Sequence, residues 1–208
     1  MNKEKINIRK VFLFLLGLIF SELGIAFYYT AVLGTDPISV FVEGISFHVD
    51  LSVGQISTIC NVILGILTYL FERDRLGIGT ILTILAGGPL IDLFYGTLLG
   101  IFPPETTVLG VRCIILVAGL ITYALGLGLI LICDLGIGPF SFPPIWLARV
   151  TKLDLKYTQI ITDALFFLVG ILLGGIFGPG TVVAVLLTGP LMTMFMRLIR
   201  PFAEKQGE

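Results

Sequence analysis

Residues 11–33 form an apolar run broken near its middle by one carboxylate, Glu22, and five more runs follow at 53–71, 78–101, 110–132, 157–177 and 180–199. About 20 apolar residues wound into a helix match the roughly 30 Å hydrocarbon core of a bilayer. Of the 208 residues, 56% are hydrophobic and only 13% charged, against about 25% charged in ordinary soluble domains. A water-soluble fold of this size has no interior large enough for that much apolar surface. The sequence therefore predicts an all-α membrane protein of about six transmembrane helices. The basic stretch 1–10 followed by apolar 11–20 imitates a signal peptide, but the run continues past Glu22 without a small-residue cleavage site, so it reads as a retained helix.

Orientation follows from the basic residues. With the N-terminal segment 1–10 and the tail 201–208 inside, Lys3, Lys5, Arg9, Lys10, Arg73, Arg75, Arg149, Lys152, Lys156, Arg197, Arg200 and Lys205 are cytoplasmic, and Arg112 alone is outside. The bias of short loops toward Lys and Arg on the cytoplasmic face then sets both termini inside. The loop after the first span is acidic instead, with Asp36, Glu43 and Asp50.

The chain also repeats itself. Leu33-Gly34-Thr35-Asp36-Pro37-Ile38-Ser39 recurs as Leu135-Gly136-Ile137-Gly138-Pro139-Phe140-Ser141, and Gly17 and Gly24 recur as Gly119 and Gly126 at the same offset of 102. Asp50-Leu51 with Gln55-Ile56 matches Asp154-Leu155 with Gln159-Ile160. Gly77-Ile78-Gly79-Thr80 matches Gly178-Pro179-Gly180-Thr181, and Gly88-Pro89-Leu90 matches Gly189-Pro190-Leu191. Their common order divides the chain into a first repeat, 11–101, and a second, 110–200. Three spans per repeat is an odd number, so the second repeat enters from the opposite side: the repeats are expected to be inverted, an arrangement frequent in secondary transporters.

Each repeat carries a short apolar piece, 37–48 or 139–150, too short to cross. Gly34 and Gly136 end the preceding helix, while Pro37 and Pro139 suit the first turn of a new one. A helix starting within the membrane presents free N–H groups and a positive dipole end. The expectation is a broken or re-entrant helix; the competing reading is an amphipathic helix on the surface, compatible with Arg149 and Lys152. The Gly88-Pro89 and Gly189-Pro190 pairs fall mid-span, where proline frees the carbonyls of Leu85 and Leu186 and kinks the helix, to bind a ligand or only to improve packing. Gly-x-Gly-Thr at 77–80 and 178–181 reads as a turn with threonine capping a helix.

Ionisable groups inside spans cost a few kcal/mol each and mark candidate sites. Glu22, Asp92 and Asp163 are such groups, and no Lys or Arg lies at their depth to neutralise them. With Asp36, Ser39, Asn61 and Ser141 they form the candidate substrate- or ion-binding set. Asn61, Gln55 and Gln159 otherwise serve as bonds between helices. Tyr28, Tyr29 and Trp146 read as interface anchors. Cys60, Cys113 and Cys133, an odd number without CxxC spacing, read as small hydrophobes rather than a disulfide or metal set. No hydrolase constellation, metal motif, cofactor motif or basic face for nucleic acid is present, so no enzyme activity and no cofactor are expected.

The motifs at 33–39, 77–80 with Asp92, and 135–141 resemble the YitT/YczE-type family of small bacterial integral membrane proteins, over roughly residues 10–200. The resemblance implies a multi-pass protein of a bacterial plasma membrane and carries little chemistry; an aromatic after the first proline and an acid after the second, which the family pattern has, are here Ile38 and Ser141. The function expected is a small proton- or cation-coupled secondary transporter with a midplane site between the repeats. The alternatives are a non-transporting accessory, assembly or regulatory protein, or a substrate-binding subunit of a larger transporter. The expected partners are the lipid bilayer, a small molecule or cation, and a second copy or another membrane protein.

Overall fold

A computed structural model describes the backbone of residues 8–204 and the side chains of residues 8–200. These residues fold into helices and loops, without strands: α1 (Ile8–Ala31), α2 (Pro37–Ser46), α3 (Val53–Phe71), α4 (Ile78–Ile101), α5 (Leu109–Cys133), α6 (Phe142–Thr151), α7 (Leu155–Leu172) and α8 (Pro179–Glu204). Six are long and apolar enough to span a membrane, the exceptions being α2 and α6. The first span starts three residues earlier than expected, and the fifth ends five earlier, at Leu172 rather than 177. Gly174, at φ +86°, turns the chain there, a conformation glycine adopts without steric cost. Pro89 and Pro190 lie within α4 and α8, and both helices continue through them.

The order long, short, long, long occurs twice. α1 and α5 form the most extensive helix pair, and α1 packs on α4 much as α5 packs on α8. The α1–α5 pair runs antiparallel through small residues. A Cβ on Gly17 would lie 2.9 Å from the carbonyl oxygen of Gly126, and one on Gly126 would lie 2.6 Å from that of Gly17. Gly24 meets the backbone of Tyr123, and Gly119 meets the carbonyl of Gly24. With no hydrophobic drive between helices in lipid, such close backbone approach is what holds spans together.

The ends of these helices interlock in the same reciprocal way. The loop after α1 reaches the start of α8: Gly180 N–H donates to Leu33 O at 2.9 Å, and Gly34 (φ +98°) lies against Gly178 and Thr181. The loop after α5 reaches the start of α4: Gly79 N–H donates to Leu135 O at 2.8 Å, and Gly136 (φ +113°) lies against Gly77 and Thr80. Val32 and Asp134 precede these glycines at φ +50° and +48°. Threonine accepts from a glycine amide in each motif, Gly77 N–H to Thr80 Oγ1 at 3.3 Å and Gly178 N–H to Thr181 Oγ1 at 3.4 Å. Thr80 also donates to Ile137 O at 2.7 Å, so it binds the halves to each other besides capping its own helix.

Arg112, the basic residue set apart by the charge count, has a structural role. Its guanidinium donates to Ala31 O at 2.7 Å and Val32 O at 2.6 Å, satisfying carbonyls that α1 leaves bare. Lys10, its equivalent 102 positions earlier, lies within electrostatic reach of Cys133 at the end of α5.

Candidate functional site

α2 begins inside the bundle. Asp36 is its N-cap, 8% exposed, with its Oδ1 accepting from Ile38 N–H and Ser39 N–H at 3.2 Å each and its Oδ2 from Ser39 Oγ at 2.6 Å. Ser39, Val40, Val42, Glu43 and Gly44 are all buried, on more than one face of the helix. α2 is thus packed among helices, and the surface-helix reading does not hold for it. It packs on α7 through glycines: a Cβ on Gly44 would meet the carbonyl of Gly170, and one on Gly170 would meet the backbone of Val40 and Phe41. Glu43 accepts from Ile176 N–H at 2.8 Å and anchors the α7–α8 loop. The corresponding α6 starts with a 3₁₀ turn, Pro139–Ser141. Both short segments reach Phe166 of α7, whose ring lies 5.2 Å from Phe41 and 5.9 Å from Phe140.

Three of the predicted carboxylates act on one tyrosine of α5. The Tyr123 ring of α5 lies within electrostatic reach of Glu22, Asp36 and Asp163, each from a different segment of the chain. Glu22 is 7% exposed and sits against Gly87 of α4, where a Cβ would lie 3.4 Å from its Oε1. Asp163 is half-buried and accepts from Gln159 Nε2 at 2.9 Å. Tyr28 packs edge-on to Tyr123, centroids 5.9 Å apart. Tyr28 is fully buried, and its hydroxyl lies near that of Thr188 on α8 without a well-formed hydrogen bond between them. No lysine or arginine forms an ion pair with these carboxylates among the described residues. No three His, Cys, Asp or Glu side chains there are placed to hold one metal ion, so the acids line a region instead of converging on a point.

The other candidates lie elsewhere. Asp92 caps α3: Ser52 Oγ donates to its Oδ2 at 2.5 Å and Gly54 N–H to its Oδ1 at 2.9 Å. Asn61 is buried on α3, with its Nδ2 bonded to Ser57 Oγ at 3.4 Å and its Oδ1 unpartnered. Ser141 is exposed, in the turn before α6. The expected bonds between helices from Gln55 and Gln159 are not formed. Gln55 closes a capping box with Ser52 and Gln159 bonds within its own helix, because a short polar side chain reaches its own backbone or next turn most easily. Tyr28 and Tyr29 are also not interface anchors. Both are buried because α1 is central in the bundle, and Tyr29 Oη donates to Ser39 O at 3.1 Å. Sequence reasoning passed over Tyr123, Thr188 and Glu43 as site residues. Tyr123 lies at helical spacing from Gly119 and Gly126 on the α1-facing side of α5, the one signal that pointed inward.

At the side carrying most basic residues, Glu72 joins α3 to α6. It is buried to 9% exposure and pairs with Arg149 at 3.0 Å and Arg75 at 3.6 Å, while Arg149 also donates to Phe71 O at 2.9 Å. Phe71, Phe142 and Trp146 pack beside this pair with centroids 6.3–6.4 Å apart.

The chain is similar to three bacterial proteins whose names describe no activity. It is 29% identical over 167 residues to an uncharacterized protein of Haemophilus influenzae, covering 80% of this chain and 74% of that one. It is 26% identical over 195 residues to the uncharacterized protein YyaS of Bacillus subtilis, covering 91% and 94%. It is 27% identical over 191 residues to the uncharacterized membrane protein YczE of the same organism, covering 91% and 86%. No solved structure matches it. The six apolar helices and these relatives identify a membrane protein, as the YczE-type motifs implied. With a family model matching residues 8–197, the chain belongs to DUF6198, a family of unknown function.

Proposed function

We propose that this protein is a small secondary transporter, coupled to protons or another small cation, that works between two inverted repeats in a bacterial plasma membrane with both termini cytoplasmic. The observation that carries this reading is the grouping of Glu22, Asp36 and Asp163 about Tyr123, buried or half-buried in an apolar bundle and without a basic partner among the described residues. A carboxylate at bilayer depth costs roughly 3 kcal/mol unless it is neutralised. Such a residue is stable when it holds a proton or a cation and costly when it holds neither, which is the alternation a coupled carrier uses. Support for inversion comes from the antiparallel α1–α5 pair and from the reciprocal contacts at both ends. Support for a midplane site comes from α2, which starts at Asp36 within the bundle with its positive dipole end there.

The test is reconstitution into liposomes containing a pH-sensitive dye, with imposed proton and cation gradients and a panel of small metabolites. Gradient-dependent uptake that is lost in Glu22→Gln and Asp36→Asn, but kept in Arg149→Ala, supports the reading. Uptake unaffected by either carboxylate substitution overturns the site. A protein that moves nothing, and instead copurifies with a stoichiometric membrane partner, favours the accessory role.

A further inference from the structure

The frame of the molecule is symmetric, but what it carries is not. α1, α4, α5 and α8 make matched contacts in the two halves, whereas α3 packs closely on α4 and its counterpart α7 makes no packed interface with α8. On the α4 side, a Cβ on Gly88 would strike Gly54 O and Thr58 Oγ1, and one on Gly54 would strike Gly88 O and Asp92. Asp92 then latches this contact through Ser52 and Gly54. By the repeat offsets, the equivalents of Ser52, Gly88 and Asp92 are Lys156, Gly189 and Thr193. A Cβ on Gly189 would meet nothing within 4 Å, and Lys156 and Thr193 are exposed. A shallow, open hollow on the surface of α8 is lined by Pro190, Thr193, Met194, Arg197 and Leu198, all of α8 itself.

The short helices show the same imbalance. α2 packs on α7 through Gly44 and Gly170, while α6 and α3 meet less extensively, through the ring cluster and the Glu72–Arg149 pair. Packed cores and interfaces adopt discrete arrangements and do not deform continuously. An unequal pair of equivalent contacts is therefore what one of two interchangeable states looks like.

Resting on the transporter reading above, we propose that α2, α3, α6 and α7 move as a group against the frame of α1, α4, α5 and α8. The structure is the state in which the acidic region opens between α7 and α8, toward the side of Lys152, Lys156 and Arg197. In the opposite state α7 docks on α8 near Gly189, the α3–α4 contact at Gly54 and Gly88 parts, and the Ser52–Asp92 latch releases. Glu22 and Asp36 then face the other side.

Two cysteine pairs, each in a background with Cys60→Ser, Cys113→Ser and Cys133→Ala, test the exchange. Ser52→Cys with Asp92→Cys is oxidised to a disulfide in proteoliposomes. Lys156→Cys with Thr193→Cys is spin-labelled, and the inter-label distances are measured with and without Asp92→Asn. The expected result is reversible loss of uptake on oxidation, together with two distance populations whose shorter member grows when the latch is weakened. Uptake that continues through the locked pair overturns the exchange and leaves the transport reading standing. If the parent protein moves nothing, the labels decide alone: a growing short population supports the motion without transport, and one long population indifferent to Asp92→Asn overturns it.

Discussion

Leu135 accepts a hydrogen bond from the amide of Gly79 at 2.8 Å, and this contact ties the end of the first long helix of one half to the start of the last long helix of the other. Its equivalent, Leu33 with Gly180 at 2.9 Å, does the same at the opposite end. Both depend on a glycine that follows directly, Gly34 or Gly136, in the left-handed region.

Replacing either glycine by alanine strains the backbone by about 1–2 kcal/mol, and the added Cβ also strikes Gly178 or Gly77. Gly34→Ala and Gly136→Ala are each expected to lower the midpoint of unfolding in mild detergent, by similar amounts. Gly138→Ala, where a Cβ meets nothing within 4 Å, is expected to leave it unchanged.

Arg112→Ala removes two charge-assisted hydrogen bonds from the carbonyls of Ala31 and Val32. With bonds from charged groups contributing about 1.5–3 kcal/mol, a loss of about 2 kcal/mol is expected in a reversible unfolding measurement. Lysine, which lacks the guanidinium fork, is expected to restore only part of it.

Asp92→Ala leaves Gly54 N–H and Ser52 Oγ without their acceptor at the start of α3. Caps of this kind contribute about 1 kcal/mol, so stability falls by about that amount. Hydrogen exchange is expected to speed up in the first turn of α3 before anywhere else in the helix.

Tyr28→Phe removes a buried hydroxyl that lies near Thr188 but makes no well-formed hydrogen bond. The free protein is expected to be as stable as the parent or slightly more so, since a buried polar atom without a partner is costly. If the hydroxyl faces the transported cation, the same variant loses thermal stabilisation by that cation. Full retention of that stabilisation removes Tyr28 from the site.

The long helices, the matched breaks and the repeat offsets were readable in the sequence because lipid imposes length and because Gly-x-x-Pro ends one helix and begins another. Which residues meet was not readable. Gly17 matches Gly119 in sequence but packs on Gly126, since a reciprocal interface pairs each residue with the equivalent of another. Burial was equally hidden: lipid and protein interior are both apolar, so no polar face shows which side of a span turns inward. Tyr28 and Tyr29 therefore resembled membrane-surface aromatics while being completely enclosed. Of the candidate carboxylates, Glu22, Asp36 and Asp163 lie within reach of Tyr123. Asp92 does not, because the start of α3 is its nearest demand for an acceptor.

The glycine seam between α1 and α5 also has a consequence for subunit structure. An interface in which each side offers the other the same patch is the geometry of a two-fold dimer. Here both patches belong to one polypeptide, joined through residues 102–108. Identical subunits must keep identical contacts wherever their symmetry is obeyed. Covalent linkage removes that obligation, and one half can carry Asp92 bonded to Ser52 while the other carries threonine and lysine at the matching positions 193 and 156.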